Sequence, residues 1–174
     1  QFGDNFFYIL YFQTPGVAEH ELYKDVRRTM RMLLYSASGD SNREPGMASQ
    51  ANKRIGFLDQ LTDPEELPPW LTEEDLGMFT AEFEEAGFFG GLNWYRNLDR
   101  TWSLMGAFAG MPVNQPALFI SGTRDLAQPP MIEAMKASVP NLREIVWLED
   151  AGHWTQQERP NEVNEALIGF LKSL

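Results

Sequence analysis

Apolar positions follow two regimes along the chain. Up to about residue 110 they recur at helical spacing. Beyond 112 they gather in short unbroken runs that alternate with helical stripes. In the first regime Leu22, Val26, Met30, Leu33 and Leu34 mark one long helix in PGVAEHELYKDVRRTMRMLLYSASG, opened by Pro15-Gly16 and closed on Gly39. A second helix covers LTEEDLGMFTAEFEEAG, where Thr72 can cap, three acids fill the first turn and Gly87 ends the run. Its buried face is predicted at Leu76, Phe79 and Phe83. A third helix covers LNWYRNLDRTWSLMGAF, with Tyr95, Leu98, Trp102 and Met105 on one face. Residues 36–71 hold Ser, Asn, Gly and Pro and predict a long loop with at most a short helical piece, a length that is often functional. GFFGGLN lacks the spacing and strand context of a nucleotide loop and predicts a turn.

The second regime reads strand, helix, strand, helix: PALFISG, PPMIEAMKASV, REIVWLED and PNEVNEALIGFLKSL. Val163, Ala166, Leu167, Phe170, Leu171 and Leu174 give the last helix an i, i+3, i+4, i+7 stripe. Strands joined by crossover helices belong to a parallel sheet. Two strands alone do not make such a sheet, so the rest is expected from a larger sheet or from another chain. The division therefore falls into a helical region, 1–110, and an α/β region, 111–174.

Composition changes this picture in three ways. Aromatic residues reach 13%, with twelve Phe and five Trp, which suits an aromatic-lined cavity or a large interface as well as an aromatic-rich core. The net charge of −11 argues against nucleic acid or an anionic membrane as partner. Cysteine is absent, which removes a disulfide framework, a thiolate zinc site and a Cys nucleophile. No apolar run approaches the roughly 18 residues of a membrane span.

Candidate chemistry sits at the ends of the two predicted strands. Asp125 follows PALFISG and His153 follows REIVWLED. Ligands in open α/β sheets bind outside the carboxyl ends of the strands, so neighbouring strands bring these residues together as the acid–histidine half of a triad. The plainer alternative is an Asp that caps the next helix and a His packed on Trp154. Tyr8 and Tyr11 lie in FFYILYFQTPG and Tyr95 in NWYRN. Two converging phenols can stabilise an oxyanion, whereas a lone core Tyr is more simply satisfied by backbone. His20 reads as a solvated surface residue. Trp94 and Trp102 read as core packing.

Taken together, Y-I-L-Y-F-Q-T-P-G-V-A-E, G-G-L-N-W-Y-R-N-L-D-R-T-W, P-A-L-F-I-S-G-T-R-D and G-H-W-T-Q-Q-E-R-P-N-E-V-N strongly resemble the soluble epoxide hydrolases of the α/β-hydrolase superfamily. The blocks occur in the family's order over nearly the whole chain, with the 40–70 loop least alike. The resemblance implies a mainly helical cap followed by the C-terminal strands and helices of the α/β-hydrolase core. It implies His153 as general base, Asp125 as its orienting acid, and Tyr95 and Tyr8 as donors to the epoxide oxygen. Tyr8 is preferred to Tyr11 because the family motif places the phenol three residues before the second Tyr of Y-x-L-Y-F-Q. Trp154 is expected to contact substrate. No metal and no organic cofactor are implied.

The reaction so implied forms an alkyl-enzyme ester on an aspartate and hydrolyses it to a vicinal diol. That nucleophile, in a motif like H-D-W-G, and the preceding H-G-x-P oxyanion motif do not occur in the sequence. Asp59 and Asp63 fall in predicted loop and Asp99 in predicted helix. The expectation is therefore a C-terminal portion, inactive alone and completed by a second polypeptide that carries the N-terminal half of the core. The substrate implied is a small hydrophobic epoxide, the compartment the cytoplasm, and the resemblance also allows a homodimer of the whole enzyme. Rival readings are a haloalkane or haloacid dehalogenase, an esterase, or a non-catalytic binding module.

Overall fold

A computed structural model describes residues 6–42, 56–125 and 129–174. The predicted loop over 36–71 and the aromatic N-terminal stretch thus lie partly outside the described residues. The chain divides into two compact units. Among the described residues the first comprises 6–36 and 56–107, and the second 37–42, 108–125 and 129–174.

The first unit is helical. Its elements are α1 (Tyr8–Tyr11), α2 (Val17–Leu22), α3 (Val26–Ser36), a 3-10 turn (Leu58–Gln60), α4 (Glu73–Ala86), α5 (Phe89–Arg96) and α6 (Leu98–Leu104). The single helix expected between Pro15 and Gly39 is two helices. Asp25 Oδ1 accepts the Arg28 N–H at 2.9 Å and starts α3 afresh, as short acidic side chains do at helix N-termini. Thr29 Oγ1 donates to the Leu22 carbonyl at 2.8 Å across the break. Leu22, Val26, Met30 and Leu34 are nonetheless all buried, because the apolar spacing encodes a face and not an unbroken axis.

Helix α3 packs on α4. Thr72 Oγ1 accepts the Asp75 N–H at 3.1 Å while Asp75 Oδ2 accepts the Thr72 N–H at 3.0 Å, a capping box. The Thr72 hydroxyl, donating to Asp75 Oδ2 at 2.6 Å, and after it the Thr72 N–H hold the Asp75 carboxyl below its ordinary range. Gly87 ends the helix at φ 66°, a left-handed φ that glycine adopts without steric cost. Leu76 is buried, and Thr80 joins it where Phe79 and Phe83 are only half-buried.

The third expected helix is broken at Asn97, whose Nδ2 donates to the Asn93 carbonyl at 2.8 Å. Trp94 and Trp102 are each 82% exposed, which corrects their reading as core packing. Leu92 alone of α5 is buried, and α6 buries none of its residues. GFFGGLN is also not a turn throughout: Gly90 and Gly91 lie in the first turns of α5.

The second unit carries the strands β1 (Ala117–Gly122) and β2 (Leu142–Leu148), joined through α7 (Pro129–Lys136). They pair in parallel, with Ile120 opposite Val146 and Gly122 opposite Leu148. After β2 come α8 (Thr155–Glu158) and α9 (Pro160–Lys172), the latter opened by Pro at its first position, where a missing N–H costs nothing. Leu148, Ala151 and Val163 form a small buried core, with Ile120 and Val146 packed on it. The α9 stripe forms as expected, yet Leu167, Leu171 and Leu174 are exposed. Only two strands are present among the described residues to receive it.

Candidate functional site

Candidate chemistry occurs in each unit. In the second unit it sits where β1 and β2 end. The connection after β1 is tied to the one after β2 by backbone bonds: Thr123 N–H to the Leu148 carbonyl at 2.9 Å, and Arg124 N–H to the Ala151 carbonyl at 3.0 Å. Asp125 N–H turns back to the Gly122 carbonyl at 3.2 Å. These ties bring Asp125 Oδ1 to 3.1 Å from His153 Nδ1. The carboxylate assigns the proton to Nδ1 and leaves Nε2 free to accept. The Asp125 side chain is 16% exposed and that of His153 is 55% exposed, so the carboxylate is shielded and the imidazole is open. The Trp154 ring stands edge-on to the imidazole at 5.1 Å.

The glycine before the histidine has a steric origin. A Cβ on Gly152 would lie 2.4 Å from the Gly39 nitrogen and 2.5 Å from the Ala37 carbonyl oxygen. That close approach lets His153 donate its backbone N–H to Ala37 at 2.8 Å.

In the first unit, Tyr8 of α1 and Tyr95 of α5 meet edge-on, with ring centroids 5.7 Å apart and planes at 83°. Phe12 packs against both, at 5.7 Å and 5.1 Å. Neither tyrosine hydroxyl has a hydrogen-bond partner among the described residues. Burial, and secondarily the nearby Tyr8, raises the Tyr95 phenol above its ordinary value. Tyr11 differs. Its hydroxyl donates to Glu21 Oε2 at 2.7 Å, and burial together with that carboxylate pushes it strongly upward. Glu21 also accepts the Phe57 and Leu58 N–H groups, so Tyr11 belongs to a fastening of the 56–58 segment.

Two groups that hold Tyr95 stand out only in the folded chain. Arg96 forks onto Glu19, Nη1 to Oε1 at 2.6 Å and Nη2 to Oε2 at 2.9 Å, and its Nε donates to the Phe12 carbonyl at 2.9 Å. The guanidinium holds the Glu19 carboxyl below its ordinary range. Gln13 Nε2 bridges the Ile9 and Tyr95 carbonyls at 2.8 and 3.0 Å. Both stand inside the quoted motifs, beside Tyr95 and after Tyr-Phe, and adjacency was their only signal. His20 is exposed on α2 and lines an open cleft of about 730 Å³ with Lys24, Asp25 and Arg28, which contains neither Tyr8 nor Tyr95. Among the described residues no group of three His, Asp or Glu side chains is placed to hold a metal ion.

No family model matches the chain. Curated proteins and solved structures do. Epoxide hydrolase A of Mycobacterium tuberculosis is 44% identical over 176 residues, which take in 100% of this chain and 54% of that protein. This chain matches the C-terminal portion of such epoxide hydrolases. The crystal structure of epoxide hydrolase A from Mycobacterium thermoresistibile superposes with a TM-score of 0.86 at 48% identity, covering 97% of this chain and 53% of that one. An epoxide hydrolase from an endophytic Streptomyces gives a TM-score of 0.85 at 39% identity, over 98% and 53% of the two chains. The chain therefore spans about half the length of the epoxide hydrolases it matches. The fold is that of the C-terminal part of the α/β-hydrolase core with a mainly helical cap. No helix among the described residues is long and apolar enough to cross a membrane.

Proposed function

We propose that this chain supplies the cap phenols and the histidine base of an enzyme that opens a small hydrophobic epoxide to a vicinal diol. The observation that carries the reading is the pairing of His153 with Asp125 at the ends of adjacent parallel strands. An aspartate on an N-terminal segment of the core attacks one epoxide carbon. The C–O bond breaks, and the departing oxygen takes a proton from a phenol of Tyr8 or Tyr95 while the other donates a hydrogen bond. An alkyl ester results. His153 Nε2 then removes a proton from water, which adds to the ester carbonyl. Asp125 holds the imidazolium as it forms. Collapse releases the diol and restores the carboxylate, and the proton held by the imidazolium is returned, through solvent, to the phenolate.

Three features support the assignment of roles. The free hydroxyls of Tyr8 and Tyr95 suit a developing alkoxide, whereas Tyr11 is already committed to Glu21. This favours epoxide over halide chemistry. Trp154 walls the imidazole on one side, and we assign it contact with the substrate. The exposed apolar residues Met131, Leu167, Ile168 and Leu171 call for the remaining strands and helices of the core, on the same polypeptide or a second one. The cap-and-core division near residue 110, a cytoplasmic location and a homodimer of the complete enzyme rest on the family resemblance.

The test joins this chain to the nucleophile-bearing segment and supplies an aryl epoxide. Diol formation, with an ester of enzyme plus substrate mass in quenched samples, is expected. Turnover of an alkyl halide or a carboxylic ester in place of the epoxide would overturn the reading.

A further inference from the structure

Glu158 is a buried carboxylate that the reaction above does not use; only 6% of its surface is exposed. Burying a charge is costly unless hydrogen bonds replace its water. Here the replacement is backbone. Oε2 accepts the N–H of Gly39 at 2.8 Å and of Gly152 at 2.9 Å, with the Ser38 hydroxyl at 3.4 Å. Oε1 accepts the N–H of Trp154 at 3.0 Å. Gly152 and Trp154 flank His153 in the chain. The N–H of His153 itself goes to Ala37, two residues before the Gly39 that Glu158 also grips. One carboxylate thus fixes the peptide on both sides of the base and the segment against which the base is seated.

We infer that Glu158 is a positioning residue for His153, holding the imidazole where it faces Asp125 and the ester; this rests on the reading of His153 as the base. An amide cannot replace it. A glutamine offers one accepting oxygen, so either the Gly39 and Gly152 donors or the Trp154 donor would face an NH2 group. Carboxylate-to-amide exchange keeps the volume while it removes the charge and turns one acceptor into a donor.

The experiment compares wild type with Glu158→Gln in the protein that includes the nucleophile-bearing segment, using single-turnover mixing with an aryl epoxide and mass detection of the ester. Alkylation should stay within about twofold of wild type. Ester hydrolysis should slow tenfold or more at full amplitude, so that the ester accumulates. A merely structural loss would shrink the amplitude of both steps and leave the rate constants of the folded fraction unchanged. Equal hydrolysis rates would overturn the inference alone. Absence of any ester in wild type would overturn the epoxide hydrolase reading and this inference with it. Should the variant not fold, wild-type amide exchange decides. The Gly39, Gly152 and Trp154 amides should be protected, and exchange at the rate of an open loop would overturn the inference.

Discussion

Gly152 backs onto Gly39 so closely that a methyl group on it would lie 2.4 Å from the Gly39 nitrogen. The contact is with backbone, which cannot swing aside as a side-chain tip does. Gly152→Ala should therefore destabilise the protein by about 3 kcal/mol, the upper range for overpacking. Because His153 is the next residue, ester hydrolysis should slow as well. Thermal melting and the rate of ester decay measure the two effects, and a full-strength Ala variant would show that this segment yields.

On the proposed mechanism, replacing His153 should separate the two half-reactions. His153→Gln keeps a polar side chain but cannot cycle a proton, so the alkyl-enzyme should form and persist. Intact mass after mixing with epoxide should show enzyme plus one substrate. Asp125→Asn should give a milder version, since the imidazole stays but loses the carboxylate at 3.1 Å that fixes its tautomer.

The two phenols should act on the other step. Tyr95→Phe and Tyr8→Phe are each expected to slow alkylation by roughly 10²-fold, the usual scale for one oxyanion donor, and to affect ester hydrolysis less. Tyr11→Phe should leave alkylation near wild type. It should instead cost about 1–3 kcal/mol of stability by removing the phenol's hydrogen bond to the Glu21 carboxylate, read from denaturant titration.

Alkaline pH should weaken the helical unit. Tyr11 and Tyr95 both hold their protons above the ordinary phenol value in the folded state, chiefly because burial disfavours the phenolate. The unfolded chain ionises near pH 10, so above that point it binds fewer protons than the native protein. Their contribution is full below about pH 10 and is lost as pH rises beyond it. Urea titrations at about pH 8 and about pH 11 should show the decline, and Tyr11→Phe should flatten it.

Arg96 should be irreplaceable by lysine. Its side chain is 10% exposed, and three of its nitrogens reach Glu19 and the Phe12 carbonyl. Arg96→Lys keeps the charge and loses the fork, so a loss of about 1–3 kcal/mol is expected, from the hydrogen bonds to Glu19 and the Phe12 carbonyl that an ammonium cannot all replace. Because Gln13 and Arg96 tie α5 to the α1 region, alkylation should slow with it. Equal melting temperatures and alkylation rates in the two proteins would remove Arg96 from the support of Tyr95.

Local signals in the sequence determined much. Thr72, the acids after it and Gly87 delimited α4 because capping and φ preferences act within a few residues. Two apolar runs stopped by turns defined β1 and β2, and their ends located Asp125 and His153. Pairing was not local. That β1 lies beside β2 with Gly122 opposite Leu148 is what makes those two ends neighbours. The breaks at Asp25 and Asn97 escaped the pattern because a helical stripe runs through a break without changing its spacing. Trp94 and Trp102 are exposed against expectation for a related reason: their period is helical, but exposure depends on what another element places against that face. Glu158 carried no signal as a letter. Its meaning came from the Gly39 amide, 119 positions away along the chain, because a buried charge is decided by the donors that folding gathers round it.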